Sequence, residues 1–377
     1  MGGMPSVKHP IRTVALLLAL LPSPAHGRPP SVGHGGGFVR GMALGMYSGM
    51  PQDLDRKLRE VRALGVSHVS LVVSWSMDTV RSTTIAPRKG WATPDDVLVK
   101  MIRRSKAMGL EVFLFPIIEV HQRSMGQWRG TIKPPSWDTW WRQYTRFIMH
   151  YARISARSGV AIYSVGSELV STEHDRKRWS ALIGQVRSVY TGKLAYSANW
   201  DHYSPVRFWD LVDVTGLTAY YKIAEGNYAT EEWMTLQWKK IRKDMSRWSR
   251  RVSRRPFIFT EVGYPSRDGG AVEPWDYTKD TPVDLEEQRR AFAAFVKAWQ
   301  GSKQLAGVFF WDWYGDGGAK CRRYTPRRKP ASRVIRRWFQ AKKKLHRARQ
   351  VERGRGGWGE FPSRCLDDRM DRRGPCR

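Results

Sequence analysis

Two glutamates, each closing a strand-like run, are the residues of this chain best placed to do chemistry. Glu168 ends the segment Val160-Ala-Ile-Tyr-Ser-Val-Gly-Ser-Glu168, and Glu261 ends Pro256-Phe-Ile-Phe-Thr-Glu261. Both runs are apolar and rich in β-favouring residues, the pattern of a strand buried on both faces of a parallel sheet. In a barrel of such strands the C-terminal tips hold the chemistry. Carboxylates on two different tips supply what cleavage of a glycosidic bond requires: one proton donor and one nucleophile or base. The plain alternative is a pair of solvated glutamates ending ordinary strands. The order of elements around them argues against it.

Between Phe38 and Gln340 strand and helix patterns alternate. Strands are expected at 40–46, 66–75, 110–120, 160–169, 193–200, 213–221, 256–264 and 305–314. Helices are expected at 51–65, 94–109, 136–159, 175–190, 230–251, 284–300 and 332–344, with a short turn-like helix at 205–211. Leu54, Leu58, Val61 and Leu64 repeat at helical spacing, and Gly65 stops that helix. Thr93 and Ser136 are expected caps. Parallel strands need helical crossovers, so eight alternating units imply a (β/α)8 barrel. The rival, an open doubly wound sheet, usually carries a glycine-rich phosphate turn after its first strand, and no convincing one is present. The loop 265–283 is long, rich in Gly, Asp and Pro, and falls on the catalytic side.

Alternate residues of a barrel strand point inward. Besides the two glutamates, the expected tips bring Trp75, Glu119, His121, Ser167, Asn199, Trp200, Asp201, Tyr220, Trp311 and Asp312 to one rim. A purely structural rim does not need so many tryptophans and carboxylates. The chain holds 18 tryptophans. Their flat faces suit sugar rings, although tryptophan also fills cores. No metal-ligand spacing stands out, and chemistry by two carboxylates needs no metal or cofactor.

The segments Tyr163-Ser-Val-Gly-Ser-Glu-Leu169, Tyr196-Ser-Ala-Asn-Trp-Asp201, Phe259-Thr-Glu-Val-Gly-Tyr-Pro265 and Phe310-Trp-Asp-Trp313 resemble glycoside hydrolase family 113, within clan A of the retaining glycosidases. The resemblance spans roughly residues 38 to 340, and the family is associated with hydrolysis of β-1,4-mannan. It implies Glu168 as acid/base on the fourth strand and Glu261 as nucleophile on the seventh. Tyr220 resembles the clan tyrosine that hydrogen-bonds the nucleophile, with Tyr221 competing for that role. Trp311 resembles the platform under the sugar being cleaved. Asn199, Trp200 and Asp201 are expected sugar contacts, and Trp75, His121 and Asp312 complete the rim. One departure stands out: many clan members have Asn directly before the acid/base, where this chain has Ser167. A serine has shorter reach and no second donor, so turnover or sugar preference is affected more than the reaction class.

The expected mechanism is double displacement. Glu261 attacks the anomeric carbon, and Glu168 protonates the leaving oxygen and then activates water. Retention corresponds to carboxyls about 5–5.5 Å apart and inversion to about 6.5–9.5 Å. The charge of Glu261 is expected to raise the pKa of Glu168. Two further readings stay open: the same chemistry on β-glucan or another β-hexoside, and a barrel of the cell envelope that binds glycans without cutting them.

The ends of the chain read differently from the middle. Lys8, Arg12 and the apolar run 13–21 form an export signal, with small-residue cleavage sites before Arg28, so residues 1–27 are expected to be removed and the rest secreted or periplasmic. The apolar run is too short to span a bilayer. Residues 28–37 form a Gly/Pro-rich lead-in, 38–344 the barrel, and 345–377 a basic, flexible Gly/Arg-rich tail. The 377 residues carry a net charge of +31, roughly half of it after Lys320. A mean hydropathy of −0.52 argues against a multi-span membrane protein. The basic tail suits an acidic polymer or envelope surface, and export makes nucleic acid an unexpected partner. Cys321, Cys365 and Cys376 leave their pairing open.

Overall fold

The computed structural model describes residues 37–46 and 53–355, with side chains described as far as residue 345. The expected export signal, nearly all of the lead-in, Cys365, Cys376 and the tail beyond 355 lie outside the described residues. Eight strands form a closed barrel in sequential order: β1 (Val39–Gly45), β2 (His68–Met77), β3 (Glu111–Val120), β4 (Ile162–Ser167), β5 (Lys193–Ala198), β6 (Val214–Thr218), β7 (Phe257–Val262) and β8 (Leu305–Phe310). Every neighbouring pair is parallel, and β1 pairs with β8 to close the ring.

The crossovers are α1 (Leu54–Ala63), α2 (Asp95–Ala107), α3 (Trp137–Ser158), α4 (Arg176–Arg187), α5 (Glu231–Trp248) and α6 (Leu285–Trp299), and α7 (Pro330–Arg355) follows β8. Between β5 and β6 a single 3-10 turn, Trp209–Leu211, replaces a helix, as the short turn-like pattern there implies. Side-chain caps start most helices. Ser136, Asp175, Thr230 and Asp284 accept from backbone N–H groups of the first turns of α3, α4, α5 and α6. Thr93 does not cap α2. Its hydroxyl donates to the Met46 carbonyl at 2.5 Å, so it ties the entry loop to the end of β1. Helix α7 runs on to Arg355, past the expected limit at Lys344.

Two apolar layers hold the barrel. The larger lies between the strands and the helices. The smaller takes a residue from every strand, among them Val39, Val72, Phe113, Ile162, Ala195, Val214, Ile258 and Phe309, and fills the interior. The Phe113 ring packs at a tilt, centroids 5.1 Å apart, against both Phe115 and Phe309. The β1–β8 seam closes because Gly41, paired with Phe309, has no side chain: a Cβ there would come within 2.2 Å of the Phe309 ring. This plug gives the catalytic end a dry, rigid floor.

Strands β4, β6, β7 and β8 stop several residues before their apolar patterns do. The ladder slips in register at Ser164/Ser167 in β4, at Leu217/Thr218 between β6 and β7, and at Phe259/Val262 in β7. Such irregularities re-aim side chains. They fall next to Glu168, Thr218 and Glu261, where the chain leaves the sheet to form the rim.

Candidate active site

A cleft of about 1800 Å³ opens at the C-terminal end of the barrel. Its lining brings together Glu168, Glu261, His121, Asn199, Trp200, Asp201, Tyr220, Trp311 and Asp312, together with Glu119. Two expected site residues are not on its wall. Trp75 faces the helix layer and packs on α3, with ring centroids 5.3 Å from Phe147 and 5.4 Å from His150 and the Arg146 guanidinium 5.5 Å above it. Strand β2 runs on to Met77, so Trp75 is not at the tip. Val72 points into the barrel, and alternation turns the odd-numbered Trp75 outward. Ser167 is buried, and its hydroxyl has no hydrogen-bond partner among the described residues. It does not line the cleft.

Glu168 sits just past β4 in the left-handed region, with φ at 55°. A non-glycine residue there costs on the order of 1 kcal/mol or more. Its neighbours hold it in place: Glu168 N donates to Ser197 O at 2.8 Å, and Leu169 N donates to the Tyr196 hydroxyl at 3.1 Å. Tyr196 is fully buried and donates to Glu173 Oε1 at 2.6 Å, while His202 Nδ1 lies 2.8 Å from Oε2 of the same carboxyl. Both carboxyl oxygens of Glu168 are engaged. Thr218 Oγ1 donates to Oε1 at 2.8 Å, and Arg129 Nη1 donates to Oε2 at 3.1 Å. Thr218 also lies 3.3 Å from Asn199 Oδ1, and Asn199 Nδ2 donates to Asp201 at 2.6 Å.

Glu261 lies within β7 and is buried. Tyr220 donates to its Oε2 at 2.6 Å, whereas the Tyr221 hydroxyl donates to the Trp200 carbonyl. Of the two tyrosines, Tyr220 is therefore the one on Glu261. Burial, and then the charge of Glu168, push the Glu261 carboxyl up to about 8, while the Tyr220 hydroxyl and the Arg129 charge pull it back. The carboxyl pushed up is that of Glu261, whereas the sequence placed the raised one at Glu168. Asp312, on the same wall, is raised to about 7 by burial. The Trp311–Asp312 peptide is cis.

Aromatic side chains build the flanks. Trp200 stacks on Trp275 at 5.6 Å with an interplanar angle of 19°. His121 meets Trp91 edge-on at 5.5 Å and holds the Ser76 hydroxyl at 2.8 Å. Trp91, Trp128, Arg129, Thr218 and Trp275 escape a reading based on strand tips, and Tyr314, at the end of an expected strand, is not among the expected site residues. Most of them stand on loops, and Thr218 is a small residue at the end of a strand. The length of the 265–283 loop points to Trp275. A tryptophan amid glycines and basic residues in 123–130 is the only trace of Trp128 and Arg129.

One carboxylate group deserves comparison with a metal site: oxygens of Asp268, Asp284 and Glu287 lie within 4.8 Å of one another. Two of the three carboxyls are already engaged in structure. Glu287 accepts from Gly269 N and Ala271 N, and Asp284 caps α6. They brace the loop after β7.

The family model of glycoside hydrolase family 113 matches residues 44–321. A solved complex of a family 113 β-1,4-mannanase is 26% identical over 81% of this chain and 99% of its own, with a TM-score of 0.73. The family 113 β-mannanase AaManA from Alicyclobacillus acidocaldarius, in complex with ManMIm, is 28% identical over 82% of this chain and 99% of its own, also at 0.73. A family 5 enzyme from Bifidobacterium longum, at 15% identity over 80% of this chain and 78% of its own and a TM-score of 0.52, shares the fold alone. No curated protein matches the sequence. A closed eight-stranded barrel with two glutamates facing one cleft agrees with the family match, and the chain belongs to glycoside hydrolase family 113 and is a glycosidase.

Proposed function

We propose that the enzyme hydrolyses β-1,4-linked mannan or manno-oligosaccharide with retention, with Glu261 as nucleophile and Glu168 as acid/base. The observation that carries this reading is the pair of glutamates in one cleft, each held by its own donors: Tyr220 on Glu261, and Thr218 with Arg129 on Glu168. The likeness to two β-1,4-mannanases across nearly their full length supports the choice of sugar. In the first step a Glu261 oxygen bonds to the anomeric carbon, the glycosidic C–O bond breaks, and the Glu168 proton goes to the leaving oxygen. In the second, water attacks the anomeric carbon, gives its proton to Glu168, and the ester to Glu261 breaks. Tyr220 orients the nucleophile, and Trp311 lies under the reacting sugar. The expected export signal supports action outside the cytoplasm, and the basic tail supports retention on an acidic polymer.

The test is a panel of mannan, glucomannan, β-glucan and xylan with the wild type, Glu168→Gln and Glu261→Gln. Release of manno-oligosaccharides as the β-anomer, lost in both variants, is the expected result. Cleavage of β-glucan in preference to mannan overturns the sugar. Release of the α-anomer overturns retention.

A further inference from the structure

We propose that the leaving-group side of the cleft takes a sugar bearing an anionic group, a uronic acid, and that this anion draws Arg129 away from Glu168. The inference rests on reading Glu168 as the acid/base, which places the leaving sugar beside it. The Arg129–Glu168 contact is sheltered, with the two side chains 24% and 11% exposed. An arginine hydrogen-bonded to a carboxyl favours its ionised form, and a proton donor has to be in the other form. Arg129 therefore occupies one oxygen of the very carboxyl that has to hand over the proton. A neutral leaving sugar offers Arg129 only hydroxyls. A carboxylate on that sugar offers a charged, two-pronged acceptor that matches the guanidinium fork. It competes for Arg129 and leaves Glu168 with the Thr218 hydroxyl alone.

The loop that carries Arg129 has the other parts of such a subsite. Arg123, Trp128 and Arg129 all line the cleft. The Trp128 indole folds back over Gly130, where a Cβ would come within 2.4 Å of Cζ2, so glycine is required for this ring position. A flat ring and two arginines on one cleft wall suit a pyranose with a carboxylate on its edge. Arg123 donates to the Tyr277 hydroxyl, lies 5.9 Å from the Tyr277 ring centroid, and has no carboxylate partner among the described residues. Two acids of the cleft wall are engaged with other cations: Asp280 pairs with Arg322 and Asp316 with Arg327.

The test compares a β-1,4-linked mannotetraose with the same tetraose oxidised to a carboxylate at C6 of the leaving residues, using the full chain at low salt. Wild type is expected to favour the acidic substrate in kcat/KM by about tenfold or more, the scale of one charged hydrogen bond. Arg129→Gln is expected to collapse that ratio to near unity, with Arg129→Lys in between. A wild-type ratio near one, or a ratio that survives in Arg129→Gln, overturns the inference. Full activity in Glu168→Gln would instead sink the assignment of the acid. Should neither substrate be cleaved, calorimetry still decides. Binding of the acidic tetraose about tenfold tighter to wild type than to Arg129→Gln sustains the inference, and equal binding overturns it.

Discussion

The tips of β4 and β7 present the same carboxyl group to one cleft and surround it differently. Glu168 stands just beyond its strand on a left-handed residue, with a hydroxyl on one oxygen and an arginine on the other. Glu261 stays inside its strand, buried, with one tyrosine for company and a carboxyl pushed up to about 8. The difference shows how a fold assigns roles to identical groups. One carboxyl stands on a backbone turned out of the ladder with a cation on one oxygen. Enclosure in the strand fixes the other in direction, and burial, the Glu168 charge, the Tyr220 hydroxyl and Arg129 together set its ionisation.

The sharpest way to break this comparison is to remove each carboxyl in turn. With Glu261 as the proposed nucleophile, Glu261→Gln is expected to lower kcat on the order of 10⁴-fold or more. Glu168→Gln is expected to cost about 10²–10⁴-fold on an oligosaccharide, and far less on an aryl mannoside whose leaving group needs no proton. Equal losses of Glu168→Gln on both substrates would erase the distinction between the two glutamates.

Tyr220→Phe comes next. Loss of a hydrogen bond to a charged group is expected to cost about 10–100-fold in kcat/KM. The hydroxyl holds the Glu261 carboxyl down, so its removal moves the acidic limb of the pH–rate profile upward. A profile that keeps its limb and loses only height would mean that Tyr220 orients without tuning.

Trp75→Ala tests the boundary between cleft and helix layer. Its packing on α3 predicts a loss of about 3–5 kcal/mol in denaturant unfolding, with KM unchanged for the folded fraction. Trp311→Ala is expected to raise KM, and because Trp311 also packs against the interior layer it loses some stability as well. A raised KM in Trp75→Ala would return that residue to the cleft.

A weaker effect follows from burial at Glu261. Its value in the folded protein, about 8, lies above the ordinary 4.5, so the folded state binds this proton more tightly than the unfolded chain. That contribution to stability is complete below about pH 4.5 and is lost as the pH rises towards 8. Glu261→Gln should therefore gain in Tm relative to wild type between pH 5 and pH 8, by about 2 °C or more. A difference in Tm that stays constant with pH contradicts this. The smallest expected change is in Tyr196→Phe, which loses the donor to Glu173 and the acceptor for Leu169 N. Loosening of Glu168 by about 1 kcal/mol should lower kcat severalfold at unchanged KM.

Much of this architecture is legible in the chain because barrel strands write themselves as short apolar runs and crossovers as 3.6-residue periods. The two glutamates are legible because a carboxylate at the end of such a run has nowhere to go but the rim. Trp75 misleads because an aromatic near the end of a run looks like a rim residue until the strand's true length and parity are known. Thr93 misleads because its position before Pro94 suits a cap, yet the loop carries it into contact with Met46. Ser167 is legible as a departure from the clan pattern. That its hydroxyl is enclosed without a partner among the described residues, beside the register slip in β4, is seen only in the folded chain.

The sequence by itself determined the barrel, the order of its strands and the placing of two glutamates at their tips, because these follow from local periodicity and from the need of parallel strands for crossovers. Only the tertiary structure decided what each glutamate touches. Arg129 meets Glu168 across 39 residues of sequence and Tyr220 meets Glu261 across 41. Closing the barrel brings loops together that no local pattern relates, and hydrogen bonds depend on distances of a few tenths of an ångström, which are set when the whole ring packs.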